Sequence, residues 1–194
     1  MGMTTRIQYH RSAMGRPLPD ADHDVELASV QGVQLALLTR VDGEFSTHVW
    51  KNVMISAWFG QSTLTGLAVY DRNMQPLYEH NPRGISTINL LVPGRYVIPN
   101  AETRREFQRF AQEYASLTAA AVIVLPGTGF ISSAVRGVIT ALALASPRGP
   151  KMHVMDSTRA AAEWLPTVHS ERTGVAISTD ELMTLLESVE RTLT

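Results

Sequence analysis

The run TAAAVIVLPG, Thr118 to Gly127, limits the possible folds of this chain more than any other stretch. It is almost wholly apolar, too short for an ordinary helix, and stopped by Pro-Gly, so it reads as a strand covered on both faces. Such strands occupy the centre of parallel sheets, and parallel strands are joined by crossovers that are usually helical.

The neighbouring sequence supplies those crossovers. In NAETRREFQRFAQEYASL, Asn100 is placed to cap a helix whose apolar stripe is Phe107, Phe110, Ala111 and Tyr114. Arg104, Arg105 and Arg109 lie off that stripe and read as a solvated face. ISTINLLVPG, Ile85 to Gly94, is a second buried strand. Before it, Leu64, Leu67, Ala68, Met74 and Leu77 follow helical spacing despite Gly66 and Pro76. VQLALLTRV (Val33 to Val41) and KNVMISAWFG (Lys51 to Gly60) read as two antiparallel strands opening the sheet.

Beyond the central run, a helix is expected from about Phe130 to Ala145, ended by Pro147, Gly149 and Pro150. KMHVMDS reads as a strand, with His153 pointing into or across the sheet, and STRAAAEWL as a short helix. The last helix opens with a capping box, Ser178 with Glu181, and carries Leu182, Leu185, Leu186, Val189 and Leu193 on one stripe. The expected class is α/β: a mixed, mainly parallel sheet of about five strands with flanking helices. Residues 1–24, polar and ending in DADHD, read as a flexible arm; 25–170 form the α/β domain; 171–194 add a C-terminal helix packed on it or extending it.

Composition narrows the function. A net charge of -1 offers no general electrostatic attraction for nucleic acid, and no apolar run is long enough to span a membrane. Without cysteine there is neither a thiolate metal site nor a cysteine nucleophile. The histidines show no metal-ligand spacing, so no metal and no cofactor is expected, and Trp50, Trp58 and Trp164 read as core. The N-terminus lacks a signal-peptide pattern, which predicts a cytoplasmic protein.

Three loops fall at the carboxyl ends of predicted strands, where open α/β sheets bind ligands next to a switch in strand order. They carry Pro93, Gly94 and Arg95; Gly127, Thr128, Gly129, Ser132 and Ser133; and Asp156, Ser157 and Thr158. The middle one, PGTGFISSAVRGV, combines glycines that permit close backbone approach with the free N–H groups of a helix start. It matches neither a dinucleotide fingerprint nor a P-loop, and GFISSAV lacks the second glycine of a nucleophile elbow. Ser132, Ser133, Arg136 and Thr140 share a polar arc of the helix, and either serine is also suited to cap it.

The order of elements, FISSAVRGVI after an apolar strand, and the ending KMHVMDSTRAAAEWL resemble the STAS family, the anti-sigma-factor antagonist-like domains, and the related STAS/SEC14 subgroup found in many bacterial proteins. The resemblance spans about Val33 to Val168. In antagonists of that family the corresponding place reads Asp-Ser-Ser-Gly; here it falls on Ser132, Ser133, Ala134 and Val135, so the Asp and Gly are replaced and Ser133 matches the phosphoacceptor. The resemblance implies a regulatory domain rather than an enzyme. The leading expectation is therefore a non-enzymatic regulatory or scaffolding domain binding a protein partner through Gly127, Thr128, Gly129, Ser132, Ser133 and Arg136. The same residues would serve a small-ligand module holding an anion, a nucleotide or a lipid. The third expectation is a self-assembling structural protein, a homo-oligomer.

Overall fold

A computed structural model describes residues 26–30, 33–95, 97, 99–127, 133, 137 and 151–192. The expected arm, 1–24, lies outside these residues, as does most of the 130–145 helix.

Among the described residues, seven strands form one sheet in the order of the chain: β1 (Glu26–Val30), β2 (Val33–Val41), β3 (Phe45–Trp50), β4 (Val53–Trp58), β5 (Ile85–Leu91), β6 (Thr118–Val124) and β7 (Lys151–Met155). The first three pairings are antiparallel and the last three parallel. The class is the mixed α/β sheet expected, with seven strands where the sequence pattern suggested about five. The two unexpected strands are ELASV and FSTHVW. FSTHVW reads as polar, yet Ser46, Thr47 and His48 are all buried. Because β3 intervenes, β2 and β4 are not the antiparallel pair the sequence suggested; each pairs with β3 instead.

Strand order never reverses, so the right-handed crossovers after β4 and β5 place their helices on one face of the sheet. These are α1 (Leu64–His80) and α2 (Ala101–Glu113). Leu67, Tyr70, Met74 and Tyr78 of α1 and Phe110 of α2 pack there against Phe45, Met54, Trp58, Ile85 and Leu91. The opposite face is covered by α3 (Thr158–Thr173) and α4 (Thr179–Arg191), whose Ala161, Leu165, Leu182, Leu185 and Leu186 meet Val53, Ile55, Ile88 and Val122. β5 and β6 are thus covered on both faces, which is why β6 is a nearly continuous apolar run rather than an alternation, while β5 carries Ser86 and Thr87 buried within it.

Local signals set the helix ends. Asn100 caps α2 by accepting from the Thr103 amide, and Ser178 and Glu181 form the full capping box of α4. α3 continues past Leu165, where the sequence pattern suggested its end, because Pro166 removes one hydrogen bond from a helix that tertiary packing sustains. It stops at Gly174, whose φ of 74° is the left-handed C-cap glycine accepts without strain. Residue 170 lies inside α3, so the helix runs across the expected 170/171 boundary.

Candidate functional site

The carboxyl ends of β4, β5 and β6 lie on one edge of the sheet, and the amino ends on the other. Two polar constellations occupy these edges, and they differ in what they leave accessible.

At the amino edge, His169 on α3 lies wholly inside the protein. Its Nδ1 is 2.8 Å from Ser86 Oγ and its Nε2 is 2.8 Å from Asn52 Oδ1. The amide oxygen can only accept, so Nε2 carries the proton and Nδ1 accepts from the serine hydroxyl. Asn52 Nδ2 in turn donates to Gly84 O at 3.1 Å, and Thr173 Oγ1 donates to His169 O at 2.8 Å. Serine, histidine and asparagine in hydrogen-bonded series have the composition of a nucleophilic relay. Here Ser86 and His169 have no exposed surface, so the series acts as a brace joining α3 to the starts of β4 and β5. Burial, with Lys51 nearby, lowers the His169 pKa to about 4, and burial lowers that of His48 to about 4 as well.

The turn before β4 belongs to the same brace. Lys51 holds a left-handed φ of 51°, unusual for a residue with a side chain. Its ammonium donates to Ala176 O at 3.0 Å, lies 3.6 Å from the Glu181 carboxylate and sits over the Trp50 ring. The strained turn therefore ties the α3–α4 connection to the sheet.

At the carboxyl edge, the loop from β4 into α1 is closed by Glu44. Its carboxylate accepts from the Thr63 amide at 2.9 Å and the Thr63 hydroxyl at 2.7 Å, while Thr63 Oγ1 caps the Gly66 amide. The positive end of the α1 dipole is thus already matched by a carboxylate of the chain itself. Phe59 lies between Arg40 and Arg95, whose guanidinium groups are 5.6 and 5.5 Å from the ring centroid. Leu64 and Val97, 43% and 46% exposed, are the large apolar side chains open to solvent among the described residues, and both follow the carboxyl ends of parallel strands.

Of the residues singled out in PGTGFISSAVRGV, Gly127 is exposed with a left-handed φ of 95°, and Ser133 is helical and exposed. Thr128, Gly129, Ser132 and Arg136 lie outside the described residues. The loop after β5 forms an exposed turn at Pro93, Gly94 and Arg95, closed by Arg95 N donating to Val92 O. In the loop after β7, Ser157 is spent capping α3. With no reversal of strand order, the switch-point crevice expected beside these loops does not form among the described strands.

Three further expectations change. The side chain of His153, in β7, is exposed rather than directed into or across the sheet, and rests on Trp164, ring centroids 4.3 Å apart. Trp50 and Trp58 are core, whereas Trp164 is only partly buried. Arg109 is not merely solvated, since it pairs with Asp71, Glu106 and Glu113 and links α2 to α1.

The amino-edge brace was missed because its members are 83 and 117 positions apart. One signal was available: His169 follows Ala162 by seven residues and Leu165 by four, so a helix carried through Pro166 puts it on the buried stripe. No described helix is long and apolar enough to cross a membrane, and no described cluster of histidine, aspartate and glutamate has metal-site geometry. The chain matches no protein-family model, no curated protein and no solved structure.

Proposed function

We propose that this chain is a non-enzymatic regulatory or scaffolding domain that binds a protein partner through the carboxyl edge of its sheet. The observation that carries this reading is that exposed Leu64 and Val97 follow the strand ends on the edge where Arg40 and Arg95 both reach the Phe59 ring. Apolar side chains beside arginines anchored on an aromatic ring have the composition of an interface core, where aromatic residues and arginine are enriched. The histidine relay supports it from the other side, because its serine is sealed away from any substrate. The STAS resemblance adds the expectation that Ser133, exposed on its helix, is the modification point, and that the setting is the bacterial cytoplasm.

Native mass spectrometry of the protein purified from its own host tests this directly. The expected spectrum contains a stoichiometric protein increment that disappears in the double variant Leu64→Glu, Arg95→Glu while the circular dichroism of the chain is unchanged. A mass equal to the bare chain, or an increment of small-molecule size, would overturn the reading in favour of self-sufficiency or ligand binding. A phosphate increment localised to Ser133 would place the switch on this edge.

A further inference from the structure

The face of the sheet beneath α1 contains a row of polar residues where an apolar layer is the rule. Register aligns Thr39 with Thr47, Thr47 with Ser56, and Ser56 with Asn89, so one cross-strand row over four strands is hydroxyl, hydroxyl, hydroxyl and amide. Across β3 and β4 the rows on either side of it are apolar, Phe45 with Trp58 and Val49 with Met54. Asn89 Oδ1 is satisfied by the Trp58 indole N–H at 3.0 Å. Thr47 and Ser56 have no exposed surface, and neither hydroxyl oxygen has a hydrogen-bond partner in the protein. The Tyr70 phenol of α1 faces Ser56 and adds a further polar group to this layer.

A third unpartnered group comes from the helix above. Asn73 is 8% exposed, and its Nδ2 has no protein partner. Its height over the sheet follows from Gly66, which touches the Glu44 carboxylate closely enough that a Cβ there would be 2.1 Å from Oε2. α1 and β3 run in the same direction, each starting from the carboxyl edge. Seven helical residues from Gly66 to Asn73 advance about 10 Å, and three strand residues from Glu44 to Thr47 advance about 10 Å. Two turns on, Asn73 keeps the side of α1 that Gly66 presents to β3, and so it comes level with Thr47.

We infer that Thr47, Ser56 and Asn73 form an internal hydration site in which an ordered water bridges two hydroxyls and one amide N–H₂ between the sheet and α1. Two hydroxyls, each able to donate or accept, and one amide N–H₂ that donates match the roughly three hydrogen bonds a buried water makes. The row carries no carboxylate or imidazole, so its chemistry suits an uncharged partner rather than a metal ion. Left without one, each group would bear a desolvation penalty that native proteins rarely retain. The water therefore does for α1 what the His169 brace does for α3: it couples the helix to the strands by directed bonds in an otherwise apolar interface.

The site makes opposite predictions for a wet and a dry interior. Thr47→Val keeps the side-chain shape and removes the hydroxyl. With the water in place, the variant loses a hydrogen bond and its unfolding equilibrium constant rises roughly five- to tenfold. In a dry site, the same change removes an unsatisfied hydroxyl and the constant falls, which would overturn the inference. A second reading uses the unmodified protein: a cross-peak between water and the Asn73 side-chain amide, with the sign of a long-lived complex, is expected in nuclear Overhauser spectra. Its absence from a resolved Asn73 side-chain signal would also overturn it.

Discussion

Gly60→Ala is expected to prevent folding at 37 °C, or to lower stability by more than about 4 kcal/mol, a loss reserved for a few drastic mechanisms. A Cβ at Gly60 would lie 1.6 Å from Gly43 O and 2.8 Å from its carbonyl carbon. Both are backbone atoms of the β2–β3 turn, so no side chain can swing aside to relieve the contact. That turn also positions Glu44, whose backbone oxygen accepts from Phe59 N at 2.9 Å and whose carboxylate closes the start of α1. Moving it therefore disturbs both the sheet and the carboxyl edge. Gly94→Ala is the control: φ is +72° but nothing lies within 4 Å of the added carbon, so the cost is conformational and about 1 kcal/mol. Thermal melts of the two variants should differ by 10 °C or so, at about 2–4 °C per kcal/mol for a chain of this size. Equal melting temperatures would show that the close approach at Gly60 is relieved without cost.

The second large effect is at the other edge. His169→Leu should cost about 3–5 kcal/mol at pH 7, because it leaves Asn52 Oδ1 and Ser86 Oγ buried with neither partner nor water. The pH dependence identifies the cause. A histidine whose pKa is about 4 when folded and 6.5 when unfolded binds its proton more readily in the unfolded chain. Stability is then complete above pH 6.5 and falls as pH drops toward 4, by up to about 3 kcal/mol for His169. His48, with the same shift, adds a similar loss over the same window. Against a typical net stability of 5–15 kcal/mol, the two together bring the wild-type chain close to acid unfolding. Urea titrations between pH 7 and 4 should show His169→Leu starting lower but falling about half as steeply. An unchanged slope would mean that His169 takes up its proton within the fold and that the brace tolerates it.

Elements whose sequence pattern follows directly from their burial were legible. β6 reads as a strand covered on both faces because TAAAVIV has no polar alternation, and α4 because its capping box and leucine stripe agree. β3 was hidden because its Ser46, Thr47 and His48 are polar yet buried, a choice made by tertiary packing and invisible to local hydrophobicity. α3 runs beyond STRAAAEWL because Pro166, a strong local stop, is overridden by the packing of the buried residues after it, His169 and Thr173 among them. The loops after β5 and β7 fall where the alternation of elements places them. Their contents were not legible, since the Arg40–Phe59–Arg95 stack joins residues from three separate connections and strands. Glu44 at the start of α1 is a contact of the same non-local kind.

Site-directed cross-linking tests the central claim, that the carboxyl edge is the working face, most directly. The chain has no cysteine, so Ser133→Cys and Glu171→Cys each carry a single thiol, one on the helical residue nine positions past the carboxyl end of β6 and one near the amino-edge end of α3. Both positions are exposed. After attachment of a short photoreactive group and illumination in extracts of the host, position 133 is predicted to capture one discrete protein that position 171 does not. Capture of the same protein with equal yield from both positions, or from 171 alone, would contradict the account.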